Sequence, residues 1–238
     1  MKKLTWYNQL GFRQNPFTIK PSSETKIVGN EESIKEILLG IEQGKVLLIE
    51  GEYGFGKTTL LKKIIEQFKD DFRIIYFSRN KKDSSIDFDE MLINAGGFFH
   101  KLFKLRKKHN ILLIDEAQDL NLKDLELLPK YYKNQFFHSI ALVSHDFSTT
   151  KFPDELKSLF DGNIFSIKSI SEDEAVVLIR KRVGDLPLLT DDIIKETFRH
   201  SKNPRKLLED LEDLCRFAVE KGKETVSSED LRVINASN

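Results

Sequence analysis

Between Val46 and Phe68 the chain passes from a short apolar run, through a glycine-rich loop, into an amphipathic segment. No other stretch constrains the fold as much. Val46-Leu47-Leu48-Ile49-Glu50 has the length and character of a buried strand, and Leu60 to Phe68 places apolar residues at helical spacing. Between them, Gly51-Glu52-Tyr53-Gly54-Phe55-Gly56-Lys57-Thr58-Thr59 fits the pattern G-x-x-x-x-G-K-[ST] without a mismatch. Gly51, Gly54 and Gly56 let backbone N–H groups turn inward around a chain of phosphates, where side chains would obstruct. The helix start adds a favourable dipole end for an anion. Lys57 is spaced to reach the β- and γ-phosphates, and the Thr58 hydroxyl to ligate Mg²⁺. Tyr53, Gly54, Phe55, Gly56, Lys57, Thr58 and Thr59 are therefore the candidate nucleotide-binding residues. A glycine turn can meet such a pattern by chance; the flanking strand and helix are what give it meaning.

The 238 residues suit one large domain, or one domain with a small appendage. Hydrophobic residues make up 39% and charged residues 32%, as in a charge-rich globular protein. No apolar run approaches the roughly 20 residues that span a bilayer, and the N-terminus lacks the apolar centre of a secretory signal. Cys215 is the only cysteine, which excludes an internal disulfide and a cysteine-rich metal site. A cytoplasmic location is the expectation. Lys plus Arg and Asp plus Glu both total 38, so any nucleic-acid surface must be a local patch.

Residues up to about Pro21 read as irregular. Glu31 to Glu42 is an amphipathic helix pattern, with Ile34, Ile37, Leu38 and Ile41 on one side. Five strands are expected, at Val46–Glu50, Arg73–Phe77, Ile111–Ile114, Ser139–Val143 and Ile164–Ile167. Helical patterns separate most of them, which predicts βαβ units and a parallel sheet covered on both faces. Ser171-Glu172-Asp173-Glu174 has the form of a capping box. Beyond it only helices are expected, near 172–183, 190–200, 204–221 and 227–234. The organisation expected is an N-terminal extension packing on the core (1–26), an α/β nucleotide-binding core (27–170) and a helical lid (171–238).

Ile111-Leu112-Leu113-Ile114-Asp115-Glu116 is an apolar strand ending in two carboxylates. Ligands of parallel sheets sit at the carboxyl ends of the strands. Asp115 is then expected beside Thr58, where both serve Mg²⁺, and Glu116 where it polarises the attacking water. An acidic pair after a strand also reads as a helix N-cap; the phosphate loop upstream favours the catalytic reading. Ser139 to Val143 leads into Ser144-His145-Asp146, and His145 either orients the lytic water or merely begins a loop. Arg205, in Ser201-Lys202-Asn203-Pro204-Arg205-Lys206, either swings from a lid helix over the phosphates or is simply solvated.

Together these residues resemble an AAA+ ATPase, a P-loop NTPase with a five-stranded parallel sheet and a small helical lid. Within that group the chain resembles replication initiators of the origin-recognition kind, ExeA-type ATPases and TniB-type transposition ATPases. The resemblance rests on Gly11-Phe12, Asn15-Pro16-Phe17, Ile27-Val28-Gly29-Asn30-Glu31 and the phosphate loop, then Ile114-Asp115-Glu116-Ala117-Gln118-Asp119-Leu120, Ser144-His145-Asp146 and Asn203-Pro204-Arg205. It implies ATP with Mg²⁺, and an adenine pocket lined by Ile27 and Val28 and closed by Pro204. It implies a catalytic set of Lys57, Glu116, His145 and Arg205, and nucleotide-dependent oligomerisation or a protein partner. Two departures stand out. Leu156-Lys157-Ser158-Leu159-Phe160-Asp161-Gly162-Asn163 lacks the arginine that family members extend to a neighbouring subunit's ATP. A winged-helix DNA-binding domain is also not expected after the lid.

The candidate DNA contact is the run Phe98 to His109, where Lys101, Lys104, Arg106, Lys107 and Lys108 offer charges to duplex phosphates. The same residues also read as the solvated end of a helix whose other face, with Phe98, Phe99, Leu102 and Phe103, is core. Two functions are consistent with this: an ATPase acting on a DNA-associated complex, and a nucleotide-controlled protein-interaction switch without DNA.

Overall fold

The computed structural model describes residues 5–19, 27–78, 85–95, 109–145 and 151–235. They form two compact units. An α/β unit comprises Glu31–Tyr53 and Lys57–Lys168, and a helical unit comprises Met1–Asn30, the loop tip Gly54–Gly56 and Ser169–Asn238.

In the α/β unit, helix α2 (Glu31–Glu42) leads into β1 (Val46–Glu50), α3 (Lys57–Phe68) and β2 (Arg73–Ser78). Then come α4 (Phe88–Ala95), β3 (Asn110–Asp115), a 3-10 turn (Ala117–Asp119) and α5 (Leu122–Lys133). β4 (Phe137–Ser144), α6 (Asp154–Phe160) and β5 (Ile164–Ser166) complete it. The five strands pair in the order β2-β3-β4-β1-β5, with every neighbouring pair parallel. β1 and β3 are near-continuous apolar runs because both faces of a central parallel strand are covered. On one face Leu48, Leu112, Ile114 and Leu142 pack with Phe88, Leu125, Leu128 and Leu156. Toward α2 the fit is close: a Cβ on Gly40 would lie 2.7 Å from Leu47 Cδ2, so glycine there admits the strand. β2 is an edge strand and correspondingly half-exposed. β3 and β4 run slightly longer than the apolar patterning suggested, since Asn110 and Phe137 are buried in the sheet as well.

The helical unit contains α1 (Trp6–Gln9), α7 (Glu172–Val183), α8 (Asp191–Ser201), α9 (Pro204–Glu220) and α10 (Ser228–Asn235). Local chemistry sets its helix starts. Ser171 and Glu174 close a reciprocal capping box, Thr190 accepts from Ile193 N–H, and Asn203 accepts from Arg205 and Lys206 N–H. Pro204 follows that cap at a position where its missing donor costs nothing. α9 buries Leu207, Leu208, Leu211, Leu214, Cys215 and Ala218, spaced to form one stripe against Ile179, Ile194 and Phe198.

The N-terminal segment departs from expectation twice. It contains the one-turn helix α1, and it groups with the helical unit instead of the α/β core. Phe17 is fully buried in the helical core, with Trp6 stacked on it at 6.2 Å. Arg182 on α7 donates to the Pro16 and Thr18 carbonyls at 3.1 and 2.8 Å, fastening the segment by its backbone. Aromatic residues spaced along a loop carry no periodicity that would reveal such a contact.

Burial, with the nearby Glu212 charge, pushes the Cys215 thiol up to about 12. The folded protein is therefore expected to resist a thiol reagent at pH 8. Leu211→Ala, which opens a cavity beside this core at a cost of about 2–5 kcal/mol, should speed labelling as the unit opens more often. Labelling of the unaltered protein at the rate of a free thiol would contradict the packing.

Candidate nucleotide site

Strand order assembles the site. β4 lies between β3 and β1, so the residues that follow these three strands emerge side by side at one edge of the sheet. From β1 comes the loop that turns into α3. Gly51 has no room for a side chain, since a Cβ there would lie 2.6 Å from the Ile167 carbonyl oxygen. Around Gly56 (φ 94°) there is open space, so its backbone conformation is what calls for glycine. At the loop tip a Cβ on Gly54 would run into the Asn203 side-chain amide and approach Arg205 Cβ to 3.0 Å.

Lys57 opens α3 and is 7% exposed. Its Nζ donates to the Gly51 and Glu52 carbonyls at 2.5 and 3.0 Å, and lies 3.4 Å from His145 Nδ1. Burial lowers its pKa; the charges of Glu116, Asp115 and Glu52 oppose that shift. Asp115, at the end of β3, is 5% exposed. One of its oxygens, Oδ2, receives Thr58 Oγ1 at 3.5 Å and the Tyr76 hydroxyl at 3.3 Å. The other accepts the Glu116 N–H at 3.1 Å. Burial first, and then the Glu116 charge, hold this carboxyl above the usual carboxylate range. The Tyr76 phenol is likewise raised, by burial and then by Asp115.

Glu116 sits in the left-handed backbone region (φ 57°, ψ 45°), which costs a non-glycine residue about 1–2 kcal/mol. Its Oε2 is 3.0 Å from His145 Nε2 and accepts from Gln118 Nε2 at 2.5 Å. Tyr53 is exposed at the loop, its ring centre 6.0 Å from that of His145.

Of the residues expected at the site, Lys57, Thr58, Asp115, Glu116 and His145 thus converge within the α/β unit. Phe55 is half-buried in the loop and Thr59 half-buried on α3. Ile27 and Val28 are half-buried in the segment before Gly29, whose Cβ would lie 2.9 Å from Ile170 Cγ2 in the helical unit. Pro204 and Arg205 begin α9, where Arg205 Nε donates to Glu209 at 3.1 Å. Lys101, Lys104, Arg106, Lys107 and Lys108 lie outside the described residues. Tyr76 and Gln118 carry no functional signal of their own in the sequence. Tyr76 reaches Asp115 only because β2 pairs with β3, which no local pattern announces. Gln118 stands within the acidic motif, and that was its available signal.

A parallel sheet of this order, carrying a glycine-rich loop, a buried lysine and a strand-end acid pair at one edge, defines a nucleotide-binding P-loop NTPase. The chain belongs to the AAA domain family, whose model matches residues 43–165. Among solved structures it is similar in fold to Orc1 of Aeropyrum pernix in complex with DNA, at 13% identity and a TM-score of 0.73, covering 94% of this chain and 69% of that one. Cdc6p of Pyrobaculum aerophilum matches at 16% identity and a TM-score of 0.69, covering 90% and 68%. Domain III of the Thermotoga maritima replication initiation protein DnaA matches at 22% identity and a TM-score of 0.63, covering 91% and 96%. No curated protein sequence matches the chain. Among the described residues no helix is long and apolar enough to cross a membrane.

A carboxyl whose pKa is higher in the folded than in the unfolded state binds protons more tightly when folded. Its contribution to stability therefore declines as pH rises from the ordinary carboxylate range through the raised folded value. Asp115→Asn is expected to raise the thermal midpoint at pH 7 and to weaken its pH dependence, measured by calorimetry without nucleotide. An unchanged or lower midpoint would refute the strain assigned to this carboxylate.

Proposed function

We propose that the chain binds ATP with Mg²⁺ and hydrolyses it, using the cycle to assemble on or regulate a DNA-associated complex. The observation that carries the enzymatic part is the convergence of Lys57, Asp115, Glu116 and His145 at the ends of β1, β3 and β4. In this reading Lys57 exchanges its bonds to two loop carbonyls for phosphate oxygens. Ile27, Val28 and Pro204 hold the adenine, and the amides of Tyr53 to Thr59 surround the phosphates. Thr58 and Asp115 fit Mg²⁺, which keeps several waters and takes only one or two protein ligands beside substrate phosphates. The raised Asp115 carboxyl supports that fit, since it stands in a buried place that a cation would relieve. When bound, the ion would neutralise charge developing on the transferred phosphoryl group. Glu116 takes the proton of the attacking water, His145 orients the water or the γ-phosphate, and Arg205 reports nucleotide state to the lid.

The DNA part draws support from the basic run at 101–108 and from the fold shared with Orc1 and with Drosophila ORC, both solved with DNA. The chain spans 62% of the length of the Drosophila protein and about two thirds of Orc1 and Cdc6p. Duplex binding should be sequence-tolerant and weaken steeply between 50 and about 200 mM salt. No binding at low salt, with or without ATP, would instead favour a nucleotide-controlled protein-interaction switch, a reading that the net charge of zero suits.

Lys57→Ala is expected to abolish ATP binding, measured by calorimetry. Glu116→Gln should retain binding and slow hydrolysis by about 10²–10⁴-fold; turnover at the unaltered rate would remove Glu116 as the base. Arg205→Ala should leave oligomer size, followed by gel filtration, indifferent to added ATP.

A further inference from the structure

Gln118 has no part in the hydrolysis proposed above, yet its side chain joins the ends of two strands. Its Nε2 donates to Glu116 Oε2 at 2.5 Å, and its Oε1 accepts the His145 backbone N–H at 3.3 Å. These bonds fix the amide's orientation, because the reversed amide would set oxygen against carboxylate oxygen and NH₂ against N–H. The backbone enforces the arrangement. Glu116 takes its left-handed conformation, Asp119 N–H closes onto Glu116 O at 2.9 Å, and the 3-10 turn between them folds Gln118 back over Glu116. Ala117, the first residue of the turn, is fully buried. His145 Nε2 meets the same Glu116 oxygen, so Oε2 is anchored twice; among the described residues no hydrogen bond reaches Oε1.

We propose that Gln118 is a positioning residue for the hydrolytic base. It holds Glu116 by Oε2, keeps Oε1 turned to the attacking water, and ties this carboxylate to the backbone at the end of β4. In the step served, the water oxygen bonds to the γ-phosphorus as its proton passes to Glu116 Oε1. The bond from the γ-phosphorus to the bridging oxygen breaks, and the departing ADP keeps its electron pair. A shift of His145 on meeting γ-phosphate is transmitted through Gln118 to the base. The proposal rests on Glu116 being that base.

Single-turnover hydrolysis and ATP affinity test it in Gln118→Met, which keeps the length and loses both bonds, and in Gln118→Glu. The latter keeps an acceptor for His145 N–H but sets a charge against Glu116. Both should slow hydrolysis about 10–100-fold, with the ATP dissociation constant unchanged. In a Glu116→Gln background Gln118→Met should slow hydrolysis no further, because the two residues act as one. If Gln118→Met does not fold, Gln118→Asn, one methylene too short to bridge, carries the same expectation. Hydrolysis at the unaltered rate in the Gln118 variants, or losses that simply add to that of Glu116→Gln, would overturn the positioning role while leaving Glu116 as base. A Glu116→Gln variant as fast as the unaltered chain would overturn both.

Discussion

The ladder that holds β4 between β3 and β1 is the constraint on which the rest of the site depends. It delivers an acid pair, an imidazole and an ammonium to one edge from segments far apart in sequence. Exclusion of water then acts on the two that are buried, Lys57 and Asp115. Lys57 and Asp115 shift in opposite directions for one reason, since burial disfavours the charged form of each. Loop carbonyls and neighbouring charges offset that cost for the lysine, and hydrogen bonds from Tyr76 and the Glu116 amide offset it for the aspartate. A polyanion together with a divalent cation would relieve both ends of this tension.

Much of the fold was legible because its elements announce themselves locally. The helix at Glu31–Glu42 follows from the spacing of Ile34, Ile37 and Ile41, and the one at Glu172–Val183 from Ser171 and Glu174. The loop from Gly51 to Thr58 and the strand-end carboxylates were readable for the same reason, as each is a short continuous pattern. What sequence could not convey was set by pairing between distant segments. Tyr76 meets Asp115 across a strand pair, and the left-handed turn at Glu116 has no glycine to mark it. Trp6 and Phe17 find their core more than 150 residues along the chain, beside Arg182.

The helical unit has its own hydrophobic core, stitched by side chains that also define where its helices begin. Asn203 illustrates the economy. Its side chain caps α9 through the Arg205 and Lys206 amides, and the same group fills the space that a side chain at Gly54 would need. The middle glycine of this loop is therefore required by a helix cap.

The left-handed backbone at Glu116 has a consequence for substitution. Glycine and asparagine occupy that conformation most comfortably, and relief of its strain is worth about 1–2 kcal/mol. The substitutions that would ease the backbone at this position are therefore the ones that remove the carboxylate proposed as the base. Folding stability and the proposed chemistry thus pull in opposite directions at this one residue.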